Sequence, residues 1–145
     1  MLCDLRKIHI GSKVVPKVTH TSDDESWGKV GGYRKVFMAK AFGFKGGYAA
    51  LDTVLERDEN KHWKIEITDI KSQSLGLYKF QGEWDTIAIN NNHIKIIYSY
   101  SMFSKNALLY PIQWLFVKLV WRKYMRQVLS TVQILAEGNE PYQYD

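Results

Sequence analysis

The apolar residues of this chain change period once, and that change limits the folds open to it. Between residues 33 and 103 they recur at every second position, in segments divided by polar or glycine-rich turns. Residues 63–70 alternate most cleanly: Trp63, Ile65 and Ile67 point one way, Lys64, Glu66 and Thr68 the other. Residues 33–41, 48–57, 77–89 and 93–103 read as further strands, the last two joined across Asn90-Asn91-Asn92. Short strands with this punctuation predict an antiparallel meander with one buried face, not βαβ units.

From Pro111 the apolar spacing becomes three to four, and the pattern runs to Glu137, with Gly138 as a natural stop. Lys118, Arg122, Arg126, Ser130, Gln133 and Glu137 mark a polar stripe. Trp114, Val117, Trp121, Tyr124, Val128, Val132 and Leu135 continue along the apolar side. Such a helix is about 40 Å long at 1.5 Å per residue, enough to cover a sheet from end to end. No repeat or linker interrupts residues 1–145, which read as one domain with a flexible tail at 138–145.

The 145 residues suffice for a single core. Five Trp, nine Tyr and six Phe are more large rings than a tightly filled core of this size needs, and a ligand cavity is one place for them. The lone cysteine, Cys3, excludes an internal disulfide framework and a cysteine-based zinc cluster. A net charge of +5 is basic but short of a nucleic-acid-binding arm. The aromatics alternate into the core and do not interleave with basic residues, which argues against nucleic acid as a partner. The N-terminus lacks the apolar segment of a secretory signal, and the longest apolar stretch, residues 107–121, is broken by Gln113 and Lys118. The expectation is a soluble, cytoplasmic protein.

Several short motifs fall in a telling order. Trp27-Gly28, Val30-Gly31, Arg34 and Val36 spell W-G-x-V-G-x-x-R-x-V, with Pro16 and Val18 upstream as P-x-V. Gly82 and Trp84 make a G-x-W, Tyr98 and Tyr100 stand at the place of a W-x-Y pair, and Pro111, Trp121-Arg122, Tyr124-Met125, Leu129 and Ala136-Glu137 mark the last helix. Over residues 16–137 this resembles the SRPBCC (START-like) superfamily, of the polyketide cyclase/dehydrase type. The resemblance implies an α+β helix-grip fold, a curved antiparallel sheet wrapped around a long C-terminal helix with an apolar cavity between them. Members usually begin with a strand and a helix, whereas only fifteen residues precede Pro16, room for the end of that helix at residues 2–10. Either the start is misassigned, or a sheet edge stays open to a rearranged N-terminus or to a second subunit in a homodimer.

The alternation names a cavity lining. Val36, Met38, Trp63, Ile65, Ile67, Tyr78, Phe80, Trp84, Ile96, Tyr98 and Tyr100 point inward from the strands, and Trp114, Val117, Trp121, Tyr124, Met125 and Val128 from the helix. The plainer reading is that these rings fill the core. Against it stand the tyrosine hydroxyls, which need partners when buried, and Gly82, which removes side-chain volume on the same face. Arg34 and Asp52 are the charged residues whose parity places them inward, and they are the candidates for chemistry. Paired with Arg34, Asp52 would have a lowered pKa and be a poor acid; unpaired in an apolar pocket, its pKa would rise and it could move protons.

His9, His20, His62 and His93 are scattered, and the expectation is no metal and no cofactor. G-x-S-x-G, P-loop and G-x-G-x-x-G motifs are missing, and Cys3 has no histidine arranged beside it. Lys118, Arg122, Lys123 and Arg126, with Leu108, Leu109, Trp114 and Phe116 nearby, read either as a solvated face or as a transient contact with an anionic membrane. The functional expectation is binding or transport of a hydrophobic or amphipathic small molecule, such as a lipid, polyketide or aromatic compound. Tyr98, Tyr100 and Arg34 would then fix its polar groups. One alternative, allowed by the resemblance, is a cyclase/dehydratase-type enzyme using Asp52 and Arg34. A second is an interaction protein whose cavity has collapsed.

Overall fold

The computed structural model describes residues 4–41, 43–72 and 75–138; Cys3, the first residues of the expected N-terminal helix and most of the expected tail lie outside them. A single-turn helix α1 (Leu5–Ile8) leads into six strands: β1 (Val18–Asp23), β2 (Tyr33–Met38), β3 (Gly47–Asp58), β4 (His62–Thr68), β5 (Leu77–Asn90) and β6 (His93–Ser104). They form one antiparallel sheet in sequence order, so the meander expected from the alternation is present. Strand β1 is the element the alternation did not mark. It is an edge strand in which only Val18 is buried, and its polar sequence hides it.

Cross-strand register sorts the residues by face. Arg34, Asp52, Ile67, Phe80 and Met102 form one inward row across β2 to β6. Val54, Ile65, Gly82 and Tyr100 form the next, and Trp63, Trp84 and Tyr98 a third. The opposite face is wet and charged: Lys64 pairs with Glu83 at 2.7 Å, and Glu66 meets Lys79 at 3.2 Å and Gln81 at 2.9 Å. Register shifts at Val36/Phe37, Val54/Glu56 and Leu77/Lys79 bend the strands, as inserted residues do.

The C-terminal helix follows, and it is not uniform. A 3-10 turn (Ala107–Leu109) opens into α2 (Tyr110–Phe116), a π-helical turn covers Val117–Trp121, and α3 (Arg122–Glu137) completes it. Pro111 stands in the first turn, where its missing N–H costs nothing. At the far end the Gly138 N–H donates to the Ile134 carbonyl at 3.0 Å. The π turn inserts one residue into the 3.6 repeat and rotates everything before it relative to everything after. Gln113 and Phe116 therefore turn inward ahead of it, and Trp121, Tyr124, Val128 and Val132 after it.

A buried apolar cluster joins α3 to the N-terminal segment. Ile8 and Val15 pack with Tyr124, Met125, Val128 and Val132, all buried. The other end of the helix is pinned by Gln113, whose Nε2 donates to the Leu75 carbonyl and the Ser104 hydroxyl, each at 2.7 Å. Between these two anchorages the helix backbone stands away from the sheet, and side chains span the gap. Among the described residues no helix is long and apolar enough to cross a membrane.

Candidate functional site

The space between sheet and helix is a cavity of about 740 Å³. It runs from the β3–β4 turn and the β5–β6 hairpin at one end to Leu75, Leu77 and Phe116 at the other. Of the residues expected to line it, Arg34, Val36, Met38, Trp63, Ile65, Ile67, Phe80, Trp84, Ile96, Tyr98, Tyr100, Trp121, Tyr124 and Val128 do, and Asp52 lies among them.

Four do not. Tyr78 is 41% exposed, because the register shift between Leu77 and Lys79 breaks the alternation and puts Leu77 inward in its place. Val117 and Trp114 face outward, because the π turn shifts the helical phase that a straight 3.6 repeat assumes. Met125 is buried, but in the cluster with Ile8, Val15 and Val132 and not on the cavity wall.

Aromatic rings make a continuous wall. Trp84 lies 5.4 Å from Tyr98, Tyr98 5.3 Å from Tyr100, and Tyr100 5.1 Å from Trp121. Trp121 also meets Phe80, Phe116 and Tyr124, and so joins sheet to helix. Gly82 makes this arrangement fit: a Cβ there would stand 3.1 Å from the Tyr98 hydroxyl and 3.2 Å from the Tyr100 ring. The indole N–H groups of Trp121 and Trp27 are buried and have no hydrogen-bond partner among the described residues. Buried donors of this kind cost free energy until something accepts from them.

The polar groups of the cavity form a compact set. Arg34 and Asp52 oppose each other across β2 and β3, with Nε 3.1 Å from Oδ2 and both side chains almost wholly buried. The Trp27 ring lies 4.0 Å from the Arg34 guanidinium carbon and stacks on it. The loop between β1 and β2 delivers that ring. Gly31 N–H donates to Val54 and Val54 N–H to Gly32, and a Cβ at Gly32 would collide with the Ser26 carbonyl. The W-G-x-V-G-x-x-R-x-V pattern is thus a physical unit: a glycine-bent loop that lays a tryptophan on an arginine.

Burial pushes the Asp52 carboxyl up against the opposing pull of Arg34. The pair and the raised pKa therefore coexist, where the sequence reading had set them as alternatives. Tyr100 is held well above the ordinary tyrosine value by burial, with Tyr98 and the Asp52 charge adding to it.

One polar pair was invisible in the sequence. His9 Nδ1 lies 2.9 Å from the Tyr124 hydroxyl, joining residues 115 apart. Burial, helped by the charge on Arg34, lowers the His9 pKa to about 4, so the ring is neutral at pH 7. Burial pushes Tyr124 up to about 12. Nothing local flags His9, since its partner comes from the far end of the chain. Among the described residues no three His, Cys, Asp or Glu side chains come together to hold a metal ion.

No family model matches the chain, and no curated protein matches it in sequence.

Proposed function

We propose that this chain is a START-like helix-grip domain that binds a hydrophobic or amphipathic small molecule between its sheet and its C-terminal helix. The observation that carries this reading is the cavity of about 740 Å³, walled by aromatic and aliphatic side chains around the polar set of Arg34, Asp52, His9 and Tyr124. Its size falls within the range of small-molecule sites, and a few convergent polar groups in an apolar wall are what orient a ligand. The same open volume weighs against an interaction protein with a collapsed interior.

Thermal unfolding against a panel of fatty acids, sterols and aromatic polyketides tests the proposal. A ligand at a hundred times its Kd stabilises the fold by roughly 2.7 kcal/mol, a rise in Tm of several degrees. Tyr100→Phe and the double variant Arg34→Met/Asp52→Leu, which strands no buried charge, are expected to reduce that rise for ligands with polar groups. A panel that shifts nothing counts against the proposal.

A second reading is favoured by one observation, the upward shift of Asp52 inside the cavity. A carboxyl whose burial tightens its hold on a proton can deliver that proton to a bound ligand, as cyclase/dehydratase chemistry on a polyketide-like chain requires. Asp52→Asn separates the readings. Under catalysis it abolishes turnover and spares ligand affinity; under simple binding there is no turnover to lose.

A further inference from the structure

The first half of the C-terminal helix is apolar on all sides, yet the sheet and cavity occupy only one of them. Gln113 and Phe116 face inward, while Leu108, Ile112, Leu115 and Leu119, spaced four, three and four apart, are 86%, 59%, 49% and 58% exposed. That spacing puts them in one stripe on the outward side. Leu109 and Phe116, which the sequence suggested as anchors, are not part of it: Leu109 lies half-buried near Gly76, and Phe116 lines the cavity. Soluble surfaces seldom leave so many large aliphatic side chains contiguous and uncovered.

Charge identifies what covers them. Between Asp85 and Glu137 the sequence contains no acidic residue, while six lysines and arginines fall in that span. Four of them, Lys118, Arg122, Lys123 and Arg126, are exposed on the turns that follow the aliphatic stripe. Trp114 stands half-exposed at the junction, with the Lys118 ammonium 4.5 Å from its ring centre.

We infer that this face docks on an anionic lipid bilayer, with the stripe from Leu108 to Leu119 sunk to the acyl boundary. Trp114 then sits at headgroup level, and the basic turns lie on the anionic headgroups. A second copy of the chain fits less well. A self-complementary contact through this face offers its cations no acidic partner, because the patch contains none. A nucleic acid fits less well still, because phosphates satisfy the cations but leave the aliphatic stripe in water. The inference stands on this surface alone and holds whatever the cavity takes.

Co-sedimentation of the full chain with vesicles tests it. One set is phosphatidylcholine alone; the other contains about three phosphatidylserines in ten lipids, enough to create a negative surface potential. Binding is expected to the anionic vesicles, weaker by about tenfold on the neutral ones and weakened by high salt. Leu115→Gln/Leu119→Gln and Arg122→Glu/Arg126→Glu are each expected to cut anionic-vesicle binding by about tenfold or more. All four positions are exposed, so these variants are expected to keep the parent melting curve, and Leu108→Gln at the most exposed position is a milder check. Vesicle binding that neither double variant reduces places the contact elsewhere and overturns the inference. So does failure to bind either vesicle. A dimer that dissociates in Leu115→Gln/Leu119→Gln, with no vesicle binding by the parent, overturns it in favour of a second copy.

Discussion

The Arg34 guanidinium Nε lies 3.1 Å from Oδ2 of Asp52, the two side chains facing each other across β2 and β3 at the wall of an apolar cavity. Two charges so far out of water cost desolvation that their attraction barely offsets, so removing one is far worse than removing both. Asp52→Ala is expected to lower unfolding stability by about 3–5 kcal/mol, because it strands Arg34. Arg34→Met/Asp52→Leu is expected to be within about 1 kcal/mol of the parent or above it. Urea unfolding of the parent and the two variants checks this. If the pair holds a ligand's polar group, the stable double variant nonetheless loses affinity.

His9 makes stability depend on pH with a definite sign. Its pKa falls to about 4 in the fold, against about 6.5 in the unfolded chain, so between those values the unfolded state binds the extra proton. Stability contributed by the neutral ring is intact above about pH 6.5 and is lost as the pH falls towards 4, by up to about 3 kcal/mol. His9→Gln, which can still bond to Tyr124, is expected to flatten the curve between pH 6.5 and 4.5, where most carboxylates have yet to titrate. Urea unfolding of both proteins across that window checks it; parallel curves contradict it.

Gln113 reaches from α2 to both the Leu75 carbonyl and the Ser104 hydroxyl at 2.7 Å. It is the polar tether that holds the helix start at the sheet's end, while Trp121 makes the ring contacts across the cavity. Gln113→Leu is expected to cost about 1–3 kcal/mol by leaving those groups without their donor. Hydrogen exchange is the sharper readout: amides of residues 112–121 are expected to exchange faster, while those of α3, packed on Ile8 and Val15, stay protected.

These elements also show where a sequence can be read and where it cannot. Alternation located the inward rows of β4 to β6, because Trp63, Ile65, Trp84, Tyr98 and Tyr100 sit on regular ladder positions. It failed at Tyr78, where a single register shift reverses parity. A strict 3.6 repeat placed Val117 and Trp114 inward, since nothing in the residues Val117 to Trp121 announces a π turn. Strand β1 was hidden by its polarity, and His9 by the 115 residues separating it from Tyr124. Local periodicity carries local geometry; the polar partners of the cavity are set by long-range packing.

Native mass spectrometry of the protein purified without denaturant tests the central claim most directly, followed by solvent extraction of whatever is bound. The expected result is a folded chain carrying one apolar or amphipathic small molecule at near-stoichiometric occupancy. A bare chain, together with a melting temperature that no member of the lipid and polyketide panel raises, contradicts it.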